Sequence, residues 1–110
     1  MKAIINGKRY DTGKAEEITR LSYGGKGQFI SWEASLHKTA KGEWFLAGKG
    51  GPMTMFARSA EGNPGAVEGS SRIVPMEQAD VLELLQSLSA HNPGLEAIIE
   101  EHFGPEIEDA

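Results

Sequence analysis

Residues 48–51 read Gly-Lys-Gly-Gly and follow directly on the apolar run Trp44-Phe45-Leu46-Ala47. A lysine among glycines at the end of a strand invites comparison with phosphate-binding loops. Those loops need GxxxxGK[ST], so that backbone N–H groups wrap the phosphates and a hydroxyl reaches magnesium. Here Lys49 precedes two glycines, the strand belongs to a hairpin, and Pro52 removes one backbone donor. GxGG also fails to complete the dinucleotide fingerprint GxGxxG. The stretch therefore reads as a strand exit and turn, and no cofactor is expected.

The other residue types that do chemistry are dispersed. His37, His91 and His102 have no histidine partner three or four residues away, so no helical metal pair forms and no metal is expected. His102 falls in the last turn of a helix, where the dipole favours a cation. The absence of cysteine excludes a thiol nucleophile, a disulfide framework and a thiolate metal site. Ser31, Ser35, Ser70 and Ser71 include no G-x-S-x-G elbow. Triads assemble in space, and sequence order is silent on that. The pairs Glu16-Glu17 and Glu100-Glu101 are neighbours in sequence and would diverge by about 100° on a helix. Glu33 lies on a strand among aromatic residues and reads as an outward-facing carboxylate. No catalytic residue is assigned, and the expectation is a protein that is not an enzyme.

The elements that would position these groups follow from periodicity and turn chemistry. Ala3-Ile4-Ile5, then Asn6-Gly7, predict a small hairpin or bent first strand. Asp11 and Thr12 offer N-cap oxygens ahead of Ala15, Ile18 and Leu21, which predicts a helix ended by Gly24-Gly25. Phe29 to Lys38 alternates, with Ile30, Trp32, Ala34 and Leu36 on one face and Ser31, Glu33, Ser35 and His37 on the other. Thr39-Ala40-Lys41-Gly42 is a turn, and Glu43 to Ala47 returns as the partner strand, so the central hairpin covers 29–47. Trp32, Trp44 and Phe45 supply its core at roughly 150–250 Å² each. Pro52 to Ala60 suits a short helix, residues 61–71 a loop, and Arg72 to Met76 a short strand at a sheet edge or end.

Glu77 to Ala90 carries the clearest helical stripe, Val81, Leu84, Leu85 and Leu88 with Leu82 widening it. Asn92-Pro93 starts a second helix whose inner side is Leu95, Ile98, Ile99 and Phe103, and Gly104-Pro105 ends it. The expected fold is α+β: a small antiparallel sheet with helices on one face and a C-terminal helix pair, in one domain of 110 residues with a frayed tail at 104–110. No apolar stretch approaches the roughly 20 residues of a membrane span, and no signal-peptide core follows Met1, so a cytoplasmic protein is expected.

Charge is divided along the chain. Met1 to Arg72 holds eleven Lys and Arg against seven acids, a balance of +4, whereas Ile73 to Ala110 holds nine acids and no Lys or Arg. So one-sided a segment repels nucleic-acid phosphates and attracts basic protein surfaces. The basic residues of the first half are interleaved with acids, and its aromatic residues are needed in the core, so no direct nucleic-acid binding is expected.

Three stretches, INGKRYDTGKAEEI, WEASLHKTAKGEWFLAGKGGPMT and RIVPMEQADVLELL, together resemble a group of small proteins carried by bacterial phages, plasmids and integrated elements. The resemblance runs from about residue 2 to 88; the helix at 93–103 departs from it and looks like an addition. Short acidic proteins of that habitat are similar to anti-CRISPR and other anti-defence inhibitors. What the resemblance implies is a non-enzymatic inhibitor of a bacterial Cas effector or another nucleic-acid-binding complex. CRISPR effectors hold nucleic acid in basic channels, which an acidic helix pair would fit. The partner-binding residues expected are Glu77, Asp80, Glu83, Glu96, Glu100 and Glu101. A second surface would be the sheet face of Ser31, Glu33, Ser35 and His37. The alternative is a self-associating accessory or regulatory protein of a mobile element, dimeric through a sheet edge or the C-terminal helices.

Overall fold

A computed structural model describes residues 1–25, 28–51, 53–59 and 67–110. The fold is α+β, with antiparallel β-structure followed by a C-terminal helix pair. The chain divides into two compact units, Met1–Pro75 and Met76–Ala110.

In the first unit, strands β1 (Lys2–Ile5) and β2 (Lys8–Asp11) form a hairpin. Its two-residue connection is Asn6-Gly7, both with positive φ (51° and 77°), the type I′ geometry that asparagine and glycine adopt most readily. The hairpin read from that dipeptide is present. Strands β3 (Glu16–Tyr23), β4 (Trp32–Lys38), β5 (Trp44–Gly50) and β8 (Ser70–Met76) form a four-stranded sheet in that order. Short strands β6 (Arg58–Ser59) and β7 (Val67–Glu68) pair separately. The β4–β5 hairpin matches the alternation expected from Trp32 onward, but it does not begin at Phe29. Residues 29–31 lie in a turn closed by the Ser31 N–H donating to Gln28 O (3.1 Å), which leaves Ile30 exposed instead of on the core face. Trp32 faces Gly50, Leu36 faces Leu46 and His37 faces Phe45. Its turn closes through the Gly42 N–H donating to Thr39 O (2.9 Å), with Gly42 at φ 87°. Strand β8 takes the edge position expected of the segment ending at Pro75.

Two expected helices are absent. Residues 16–23 are strand β3, paired along its length with β4, with a bulge between Glu17 and Thr19. The side chain that would have capped a helix serves a turn instead. Asp11 Oδ1 accepts from the Gly13 N–H (2.8 Å), and Asp11 O accepts from the N–H groups of Lys14 and Ala15 (both 3.1 Å). This turn sends the chain into a strand whose Ile18, Thr19 and Tyr23 suit a pleated surface, and the ladder to β4 outweighs the weak helical spacing. The helix expected over 52–60 is replaced, among its described residues, by a turn at Met53–Phe56 and strand β6. Thr54 Oγ1 donates to Gly51 O (2.8 Å) and accepts from the Phe56 N–H (3.1 Å), which closes the turn locally. Pro52, Ala60 and residues 61–66 lie outside the described residues; the described remainder of the loop expected at 61–71 is instead strand β7 and the start of β8.

The core of the first unit is aromatic, as its composition implied. Trp32, Trp44 and Phe45 are buried, and burial of a side chain such as Phe45 stabilises the fold by about 2–3 kcal/mol. On one face of the sheet, Phe45, Ala47 and Ile73 pack with Tyr10 of the first hairpin, supported by Ala3, Ile5 and Ala15. Tyr10 meets Phe45 edge-on at 5.4 Å between centroids, a favourable aromatic geometry. On the other face, Trp32 lies 6.0 Å from Phe56.

The second unit holds helices α1 (Gln78–Ser89) and α2 (Leu95–Phe103), which pack together and end in a 3-10 turn at Gly104–Glu106. The buried residues are Val81 and Leu85 of α1 and Leu95, Ile99 and Phe103 of α2, all members of the expected stripes. Gln78 Nε2 donates to Glu106 Oε1 (2.5 Å), tying the start of α1 to the 3-10 turn.

Candidate functional site

Two surfaces carry the residues singled out in the sequence. The first is the outer side of the helix pair. Burial of Val81, Leu85, Leu95, Ile99 and Phe103 fixes how each helix is rotated, and the acids fall where that rotation leaves them. Glu77, Asp80, Glu83, Glu96, Glu100 and Glu101 are all exposed. Glu77 is the residue before α1, with extended backbone and no side-chain cap bond. Asp80 and Glu96 lie in the first turns of their helices, where the backbone dipole favours a carboxylate. Glu83 follows Asp80 by three residues, and Glu100 follows Glu96 by four, so each pair shares a side of its helix. Glu101 is 3.9 Å from His102 Nε2. The unit contains no lysine or arginine to neutralise these groups.

The second surface is the sheet face of Glu33, Ser35 and His37, and the structure divides it. At one end the first hairpin covers the face, and His37 is only 4% exposed instead of lying on an open surface. Its ring stacks on Phe45, with centroids 5.0 Å apart and planes inclined by 10°. Nε2 lies 2.8 Å from Ser35 Oγ, which in turn donates to Ala47 O (3.2 Å). With that hydroxyl proton directed to the carbonyl, Nε2–H is the donor to Ser35 and Nδ1 is left as a buried acceptor without a partner. Burial pushes the imidazole below its ordinary pKa, and the nearby Glu17 opposes that shift only in part. A histidine within reach of a serine is two thirds of a nucleophilic relay. The third part is a group on Nδ1 that stabilises the imidazolium, and among the described residues none is there.

At the other end the face opens into a hollow of about 540 Å³ lined by Arg20, Ser22, Glu33, Ser35, Lys49 and Ser71, among others. It continues into a second hollow of about 760 Å³ past Ser31 and Ser70. Lys49 Nζ pairs with Glu33 Oε1 (3.2 Å), and Arg20 Nε lies 3.6 Å from Glu17 Oε1. The helix expected for its segment does not place Arg20 on this face; the register that sets it opposite Ser35 does. The Ser35–His37 pairing was legible from strand alternation alone, whereas its burial was not.

The glycines beside Lys49 answer to packing. A Cβ on Gly48 would lie 2.2 Å from Glu33 O, one on Gly50 would lie 2.5 Å from Thr54 Oγ1, and one on Gly51 would lie 2.4 Å from Phe29 O. Strand and turn backbones approach too closely there for any side chain, which accounts for the run without a ligand. Among the described residues, no three His, Asp or Glu side chains gather where they would hold a metal ion. No helix among them is long and apolar enough to cross a membrane.

No protein-family model, curated protein or solved structure matches the chain. Its class rests on its own geometry: an α+β protein that joins a small antiparallel sheet to an acidic helix pair.

Proposed function

We propose that this protein is a non-enzymatic inhibitor of the anti-CRISPR kind, encoded by a mobile element, which binds a bacterial nucleic-acid-processing complex through its acidic helices. One observation carries the reading: the boundary between the two units is also the boundary in charge. Every Lys and Arg of the chain belongs to Met1–Pro75, and Met76–Ala110 carries nine acids and none of either. Apolar contacts hold the helix pair together from within, so its acids are not needed as internal ion-pair partners. A rigid surface with exposed carboxylates at helical spacing presents charge as a phosphate backbone does, and a basic nucleic-acid channel would attract it.

The test uses purified Cas effector complexes of several types, with target-DNA binding measured at rising concentrations of the protein. At least one effector should lose DNA binding, and the loss should weaken as salt is raised. Glu83→Lys, Glu100→Lys and Glu101→Lys combined should abolish it. These three lie outside the first helical turns, so their reversal leaves the dipole contacts of Asp80 and Glu96 in place. Inhibition unchanged in the triple variant, or absent for every effector, would overturn the reading.

A further inference from the structure

The turn that replaces the expected first helix also builds a small basic hollow. Arg9 lies on β2, and the turn after it, fixed by the three bonds to Asp11, presents Lys14. Across from it is the β4–β5 turn, held by Gly42 N–H to Thr39 O and by Thr39 N–H to Glu43 O (2.8 Å), which presents Lys41. The three cations and Asp11 surround a cavity of about 190 Å³ whose wall includes Thr39. Lys14 and Lys41 are 27 positions apart in sequence, so only the pairing of elements brings them together.

Other cations of this unit are engaged: Lys8 with Glu43, Arg20 with Glu17, Lys49 with Glu33, and Lys38 over the Trp44 ring. The side chains of Arg9, Lys14 and Lys41 make no hydrogen bond or ion pair among the described residues. The single carboxylate in the wall, Asp11, already accepts the Gly13 N–H. Three like charges around one hollow repel each other unless an anion enters, and with Asp11 the wall carries a net +2. Thr39 Oγ1 accepts from the Glu43 N–H (3.1 Å), which leaves its hydroxyl proton free to donate into the hollow.

We propose that this hollow binds a phosphate dianion, either the free ion or the terminal group of a monoester. A wall of +2 matches the charge of a monoester above its second pKa of about 6, whereas a phosphodiester carries only one charge. The guanidinium of Arg9 can grip two oxygens at once, and the two ammonium groups act as point charges on the third. The volume, equivalent to about six waters, is enough for a tetrahedral oxyanion. The ligand is inorganic phosphate or the terminal phosphate of a phosphorylated molecule.

The experiment titrates the full chain at constant ionic strength with inorganic phosphate, glycerol phosphate and dimethyl phosphate, following backbone amide shifts. Inorganic phosphate and glycerol phosphate should move the amides of Lys14, Thr39 and Lys41 in saturable fashion, with Kd on the order of 1 mM or tighter. The tighter of the two identifies the free ion or the ester as the ligand. Dimethyl phosphate should bind at least about tenfold more weakly, and so should both dianions to the combined R9Q, K14Q and K41Q variant. The K8Q variant, which alters a paired lysine outside the wall, should bind as the parent does. Shifts that fail to saturate, affinity retained in the triple variant, or an equal loss in K8Q would each overturn the site.

Discussion

At the scale of single residues, His37 is the group whose surroundings do most to change its chemistry. Its ring is stacked on Phe45, one nitrogen is satisfied by Ser35, and the other is buried with no partner. The neutral form fits this site. The imidazolium would bury a charge and a second N–H with nothing to receive it. Because the folded pKa lies below the ordinary 6.5, the unfolded chain takes up the proton first as pH falls. Stability from this residue is complete above about pH 6.5, declines below it, and levels off beneath the folded pKa, with a slope of at most about 1.4 kcal/mol per pH unit. Urea unfolding between pH 7.5 and 5 should show this decline. His37→Phe keeps a flat ring against Phe45 and removes the titrating group, so its stability should vary less over the same range. An identical decline in the variant would place the titration elsewhere.

Among the elements, the first hairpin contributes most to the character of the sheet. It covers Phe45, Ala47 and Ile73, and it leaves the Arg20, Glu33 and Lys49 end open. Tyr10 is its anchor, 7% exposed and edge-on to Phe45. Tyr10→Ala should cost about 3 kcal/mol in chemical denaturation, in the range of large aromatic deletions from cores. Tyr10→Phe preserves the ring contact and should stay within about 1 kcal/mol of the parent. If the alanine variant is as stable as the parent, the hairpin does not belong to the core. The β4–β5 pair depends on a different device. Gly48 lets the strands close over Glu33 and Ala34, and Gly48→Ala would force a shift of backbone costing about 1–3 kcal/mol.

For the molecule as a whole, the divided charge dominates. A net charge of −5 describes neither unit, since the first carries +4 and the second −9. The two units therefore carry opposite net charge. The proposed association with a basic complex should strengthen as ionic strength falls, because exposed charges are screened within about 8–10 Å at 0.1–0.15 M salt. The dependence of log Kd on log salt should flatten in the triple lysine variant of Glu83, Glu100 and Glu101. A slope equal to that of the parent would mean the acids steer nothing. The proposed phosphate hollow lies in the basic unit, apart in sequence from these acids.

The helix pair, the Asn6-Gly7 hairpin, the central hairpin with its register-defining alternation, and the charge division are all legible in the sequence. Each rests on a local rule: helical period, a dipeptide that tolerates positive φ, a strand period of two, and plain counting. The six acids were placed on an exposed surface by the same logic, because burying one stripe of a helix exposes the opposite one. Where two local rules competed, tertiary structure decided. Residues 11–21 carry both a capping signal and a β-rich run, and the unpaired edge of β4 made the strand the better outcome. The burial of His37, the meeting of Arg20 with Ser35, and the gathering of Arg9, Lys14 and Lys41 depend on segments far apart in sequence. Register and packing between such segments are set by the whole ladder and core, and no local window contains that information.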